Sequence, residues 1–160
     1  MINETDMKHL KRCVELARIA LTKENEPFGS ILVSESGEVL FEDHNRVAGG
    51  DQTKHPEFAI ARWAASYMTP EERSKATVYT SGEHCPMCAA AHAWVGLDRI
   101  VYASSSKQLQ EWKAEWDAPQ SPIYNLSIQE VIRVAEVDGP VPELAEEVKE
   151  LHRQSQERNT

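Results

Sequence analysis

The run His84-Cys85-Pro86-Met87-Cys88-Ala89-Ala90-Ala91 constrains this chain more than any other stretch. Two cysteines three positions apart, at the mouth of an alanine-rich segment, fall on one face of a helix. Pro86 suits the first helical position, where its missing N–H costs no hydrogen bond. Sulfurs there lie at the positive end of the helix dipole, which favours thiolate over thiol. A thiolate pair at this spacing either holds a metal or does redox chemistry. Thirty positions earlier, His55-Pro56-Glu57-Phe58-Ala59-Ile60 repeats the plan. A donor comes first, then Pro, then an apolar helix through Trp63, Ala64 and Tyr67. If the two helix N-termini converge, His55, Cys85 and Cys88 supply three ligands and leave a fourth position open. Glu57 then stands beside the ion without being needed as a ligand. A closed structural zinc site would require a fourth donor from Cys13 or His92, and a purely redox pair would leave His55 and Glu57 without a purpose.

His-x-Glu followed by Cys-x-x-Cys is similar to the signature of the zinc-dependent cytidine deaminase superfamily. Pro27-Phe28-Gly29, His44-Asn45-Arg46, Tyr79-Thr80-Ser81-Gly82-Glu83 and Trp94 resemble the guanine deaminase and tRNA adenosine deaminase branch, from about residue 8 to about residue 104. The resemblance implies a three-layer α/β/α fold around a central mixed five-stranded sheet. It implies one catalytic Zn²⁺ on His55, Cys85 and Cys88, with Glu57 as the acid–base residue of a hydrolytic deamination. Phe28 would stack on a base, Asn45 would meet the base edge, and Trp94 would line the base pocket. The Pro56 carbonyl is available to a substrate amino group, and backbone N–H groups around Gly82 and Glu83 would stabilise the tetrahedral intermediate. Guanine is the first expected substrate. Cytosine, a cytidine-type nucleoside or another aminated heterocycle is the alternative, and a tRNA adenosine a further one. Three positions depart from the family pattern: Pro56 replaces the usual Ala, and Gly82 and His84 replace the usual Cys and Pro.

Composition narrows the partners. The 160 residues carry a formal net charge of −9, and an acidic chain does not seek phosphate backbones. A small nucleobase or nucleoside is therefore expected as substrate, and nucleic acid is not. The three cysteines, Cys13, Cys85 and Cys88, fit a reducing compartment better than a disulfide scaffold. The acidic opening Met1-Ile2-Asn3-Glu4-Thr5-Asp6 has no apolar core of a signal peptide, and no run has the length of a membrane span. A cytoplasmic protein without a membrane partner is expected. Two helices starting beside one metal, with apolar and Trp-bearing surface to spare, suggest a homodimer.

Taken in order, the chain reads as one domain over residues 1–160, with about 104–160 as a C-terminal lid or helical extension. Met7, Leu10, Val14, Ala17 and Leu21 recur at helical spacing, with Asn3 or Thr5 as cap. Cys13 beside that stripe reads as a small buried hydrophobe. Residues 31–33 and 39–41 form a hairpin across the turn Glu35-Ser36-Gly37-Glu38. Residues 77–80 and 99–102 are further strands, and strands alternating with helices imply mostly parallel pairing with right-handed crossovers. Ligands in such sheets sit at the carboxyl ends of the strands, where both metal-bearing helices start. Residues 128–134 form a short strand or helix, and Val141, Leu144, Val148 and Leu151 mark a last helix. His84 reads as a rim residue and His92 as a core or interface histidine, while His9, His44 and His152 carry no motif. Trp112 and Trp116, one turn apart, pack on the sheet or a partner, or else form a lid.

Overall fold

A computed structural model describes residues 1–159. Asn3 caps the first helix, α1 (Glu4–Thr22), through a reciprocal bond with Asp6. The hairpin β1 (Gly29–Val33) and β2 (Val39–His44) follows. A loop carrying a single 3₁₀ turn leads to α2 (Pro56–Tyr67), and the one-turn α3 (Pro70–Arg73) comes next. Then come β3 (Thr77–Gly82), α4 (Pro86–Trp94), β4 (Ile100–Ser104) and α5 (Ser106–Glu115). The chain ends with α6 (Ile128–Val131), the two-residue β5 (Val137–Asp138) and α7 (Pro142–Arg158).

The five strands lie in the order β2-β1-β3-β4-β5. β1 is antiparallel to both β2 and β3, whereas β3, β4 and β5 run parallel. The expectation of mostly parallel pairing is corrected here for β1. The parallel crossover belongs to β2, α2 and β3, which pass over β1 and leave it between two strands of the opposite sense.

Strand alternation divides the core. Ile31, Val33, Tyr79, Val101 and Ala103 point to one face and pack with α1, α5 and α7. Leu32 and Val78 point to the other face and meet Ile60 and Ala64 of α2. Ile100 and Tyr102 meet Ala89 of α4 and Ile128 of α6 on that same side. The result is three layers, helix on sheet on helix. Gly29 is fixed by close approach: a β-carbon there would run into the Cys13 carbonyl and the Leu16 side chain, so α1 lies directly on β1. Trp112 is buried in the α1-side core and Trp116 packs partly buried against it, so neither is a lid. Among the described residues no helix is long and apolar enough to cross a membrane.

Candidate metal and active site

The carboxyl end of β3 runs straight into the turn before α4, and the loop after β2 delivers α2 to the same edge of the sheet. Each helix opens with its donor at the cap and Pro at the first position: His55-Pro56 for α2 and Cys85-Pro86 for α4. The structure brings the three donors together. His55 Nδ1 lies 3.5 Å from Cys85 Sγ and 3.5 Å from Cys88 Sγ, and the two sulfurs are 3.5 Å apart. A tetrahedral zinc with bonds of about 2.3 Å to sulfur and about 2.0 Å to nitrogen sets its ligand atoms roughly 3.5–3.8 Å apart, so the triangle fits.

The protonation pattern suits a metal as well. The contact with Cys88 pulls the Cys85 thiol down to about 4, helped by His55 and opposed by burial. The same sulfur contact, with burial, pushes Cys88 upward. The Cys85 contact raises His55 to about 9. Three soft donors thus share protons that an ion displaces on binding. Among the described residues this grouping has three members. Cys13 is sealed in the α1-side core, and His92 bonds through Nε2 to the Asp98 carbonyl at 2.7 Å. Neither supplies the fourth ligand that a closed structural site requires.

Glu57 is 5% exposed on the first turn of α2. Burial pushes its carboxyl up to about 7, offset in part by His55 and by a hydrogen bond from Ser30. Ser30 Oγ lies 2.8 Å from Glu57 Oε1 and 2.8 Å from Thr80 Oγ1. Ser30 and Thr80 face each other across the β1–β3 ladder, so the two central strands hold the carboxylate in one orientation. Sequence reasoning missed both hydroxyls. No local signal singles them out: Thr80 stands in β3 among Thr77, Tyr79 and Ser81.

The remaining candidates separate. Asn45 is 1% exposed, and its Oδ1 accepts from Val47 N at 3.1 Å, which leaves Nδ2 as its free donor. Its backbone N–H donates to the Phe28 carbonyl at 3.0 Å, so Phe28 and Asn45 sit side by side at this edge. Pro56 is buried at the first position of α2. Gly82 keeps space open for Phe28: a β-carbon there would lie 3.2 Å from Phe28 Cε1.

Three expectations are corrected. Glu83 N–H donates to the Ser104 carbonyl at 2.8 Å and is not available to an intermediate. The Glu83 carboxylate accepts from Ser106 N and from Ile128 N, both at 2.9 Å, and ties α5 and α6 to the turn. Trp94 ends α4, six residues beyond Cys88 and about 9 Å further along the helix axis, and it is 88% exposed. Within one chain it does not line the pocket. His84 is not at the rim but 1% exposed, its ring edge-on to that of His92 at 5.4 Å. His92 is itself buried, as a core histidine should be.

Beside His55 a cleft of about 370 Å³ is lined by Phe58 and by Arg46, Lys54 and Arg62. Asp43 and Asp51 also line it. Asp43 is paired with Arg46 at 2.8 Å, and Asp51 accepts from Thr53 Oγ1 at 2.6 Å.

A three-layer α/β protein with a His-Cys-Cys metal corner and a buried carboxylate beside it is a narrow class. The model of the cytidine and deoxycytidylate deaminase zinc-binding region matches residues 3–104, and the chain belongs to that family. A probable cytosine deaminase of Schizosaccharomyces pombe is 34% identical over 110 residues, 68% of this chain and 65% of that protein. The guanine deaminase of Bacillus subtilis is 32% identical over 104 residues, 64% of this chain and 66% of that protein. The match thus spans just under two thirds of each relative. A solved structure of a tRNA deaminase that edits adenosine to inosine at the wobble position superposes with a TM-score of 0.64 at 24% identity, over 91% of this chain and 99% of that one.

Proposed function

We propose that this chain is a zinc-dependent hydrolytic deaminase of a free nucleobase or nucleoside, with guanine the first substrate and cytosine the second. One observation carries the reading: a buried carboxylate, Glu57, held by Ser30 and Thr80 beside three metal donors that have no fourth side-chain ligand among the described residues. Zinc on His55, Cys85 and Cys88 would act as a Lewis acid and make a water there more acidic. Glu57 takes one proton from the attacking water and delivers it to the ring nitrogen, then takes the second from the new hydroxyl on the tetrahedral carbon and passes it to the departing amine. Water adds to the amidine carbon, ammonia leaves, and an oxo base remains. Asn45 Nδ2 donates to an acceptor on the base edge, the Pro56 carbonyl receives the exocyclic amine, and Phe28 stacks on the ring.

Likeness to the guanine and cytosine deaminases supports the two substrates named. An ammonia-release screen over purines, pyrimidines and their nucleosides, with Glu57→Gln as control, tests the reading. Release that survives Glu57→Gln unchanged removes it. Lys54 and Arg62 in the lining of the cleft at His55, beside the Asp43–Arg46 pair and Asp51, favour a second reading, a substrate that carries phosphate. That reading requires activity on nucleotides or oligonucleotides that falls steeply with added salt.

A further inference from the structure

We infer that His152, from the C-terminal helix, is a positioning residue that sets the tilt of the Phe28 ring and so the width of the slot that receives the base. The inference rests on the reading of Phe28 as the stacking face. His152 lies outside the family-matched segment, on α7, which packs across α1 and β4. It is 7% exposed, and its ring meets that of Phe28 at 4.9 Å with an interplanar angle of 66°. Behind it lies Trp112, 6.2 Å away and inclined at 40°. Trp112, His152 and Phe28 thus form an aromatic file running from the α1-side core to the edge of the sheet that bears the metal donors.

Phe28 precedes β1, and its ring lies beside Gly82, which has no side chain to meet it. Its backbone is pinned, since Asn45 N–H donates to its carbonyl. A ring on a pinned backbone retains rotation about χ1 and χ2, and an edge-to-face neighbour selects one orientation through the ring quadrupoles. Burial also lowers His152 to about 3, so the contact is between two uncharged rings and is not a cation–π pair. A planar heterocycle needs a slot of one fixed width, and releasing the Phe28 ring should weaken binding before it weakens chemistry.

The test compares His152→Ala, His152→Leu and His152→Phe with wild type in zinc content and in kcat and KM for the best base of the ammonia screen. We expect His152→Ala and His152→Leu to raise KM about tenfold, with kcat within about threefold and zinc stoichiometry unchanged. His152→Phe, which restores an aromatic edge, should return KM to within about threefold of wild type. If the alanine variant does not fold, the leucine variant keeps the volume and still removes the ring. An unmoved KM in the leucine variant overturns the inference, as does a fall in kcat alone. So does a phenylalanine variant as impaired as the leucine one. Wild type that releases no ammonia from any base overturns the substrate reading and this inference with it. An active wild type with unmoved KM overturns this inference alone.

Discussion

Glu57 is buried beside its metal donors and is bonded to neutral hydroxyls of Ser30 and Thr80, and among the described residues its carboxylate forms no salt bridge. A carboxylate so placed costs the fold stability unless a cation pairs with it, and the metal corner is where that cation would sit. Glu57→Gln keeps the shape and removes the base. A positioned acid–base group is worth roughly 10²–10⁴ in rate, so kcat should fall by that factor, on the order of 3–5.5 kcal/mol of barrier. Zinc content measured on the same sample should match wild type. A variant that loses its metal would instead make Glu57 part of the ligand set. The donors and Glu57 were legible in the sequence because a Pro directly after each donor announces a helix start, and one helix turn fixes the geometry of Cys85 and Cys88. Ser30, Thr80 and His152 were not legible, because nothing local distinguishes a hydroxyl that acts on Glu57 across 27 or 23 residues of chain, or an imidazole that meets Phe28 across 124. Trp94 shows the converse. Its offset from Cys88 matches the family pattern, yet the helix carries it away from the cluster to the surface.

The elements are held to the sheet by two polar clamps at opposite ends. At the site end, the Glu83 carboxylate accepts from the first N–H groups of α5 and α6 and so holds the C-terminal third against the cysteine turn. At the other end, Arg99 before β4 bonds Asp6 of α1 at 2.9 and 3.0 Å and Asp138 of β5 at 2.9 Å. Tyr79 OH donates to the same Asp6 at 2.6 Å. Burial pushes the Asp6 carboxyl up, but the bonds from Arg99 and Tyr79 outweigh it and hold the group at about 2. A carboxyl held below its unfolded value stabilises the fold above that value, and the contribution vanishes as pH falls through the folded one. Asp6 should therefore contribute about 2 kcal/mol at neutral pH, lost between roughly pH 4 and pH 2. Wild type should out-melt Asp6→Asn at pH 7, and the gap in Tm should close across that window. A gap that does not change with pH would show that the carboxylate charge is not what Arg99 requires. Sequence periodicity could show α1 and the strands but not this clamp, whose members are separated by up to 132 residues. The antiparallel β1–β3 pairing was hidden for a related reason. The rule for parallel crossovers holds between β2 and β3, and nothing in the sequence says that β1 lies between them.

At the scale of the whole molecule, α4 stands out for what it lacks. Pro86-Met87-Cys88-Ala89-Ala90-Ala91-His92-Ala93-Trp94 contains no Asp, Glu, Lys or Arg, so it has no charged face to turn to water. Its inner side is buried at Cys88, Ala89 and His92. Its outer side ends on Trp94, 88% exposed, and the neighbouring α2 ends on Tyr67, 73% exposed. Two chains each carrying −9 repel as wholes. The outer face of α4 is a surface on which they can approach without setting like charges against each other. A two-fold pairing of α4 against its copy places the same patch on both sides, as a closed dimer requires. We therefore expect a homodimer that buries Trp94. Sedimentation at micromolar concentration should give about twice the chain mass for wild type. Trp94→Glu, which sets two carboxylates into the paired faces, should give the mass of one chain with its helical circular dichroism intact. The substitution should cost little in an isolated chain, because Trp94 makes so little of its contact area within it. Wild type sedimenting as a single chain, or Trp94→Glu remaining a dimer, would place the contact elsewhere and leave Trp94 as surface.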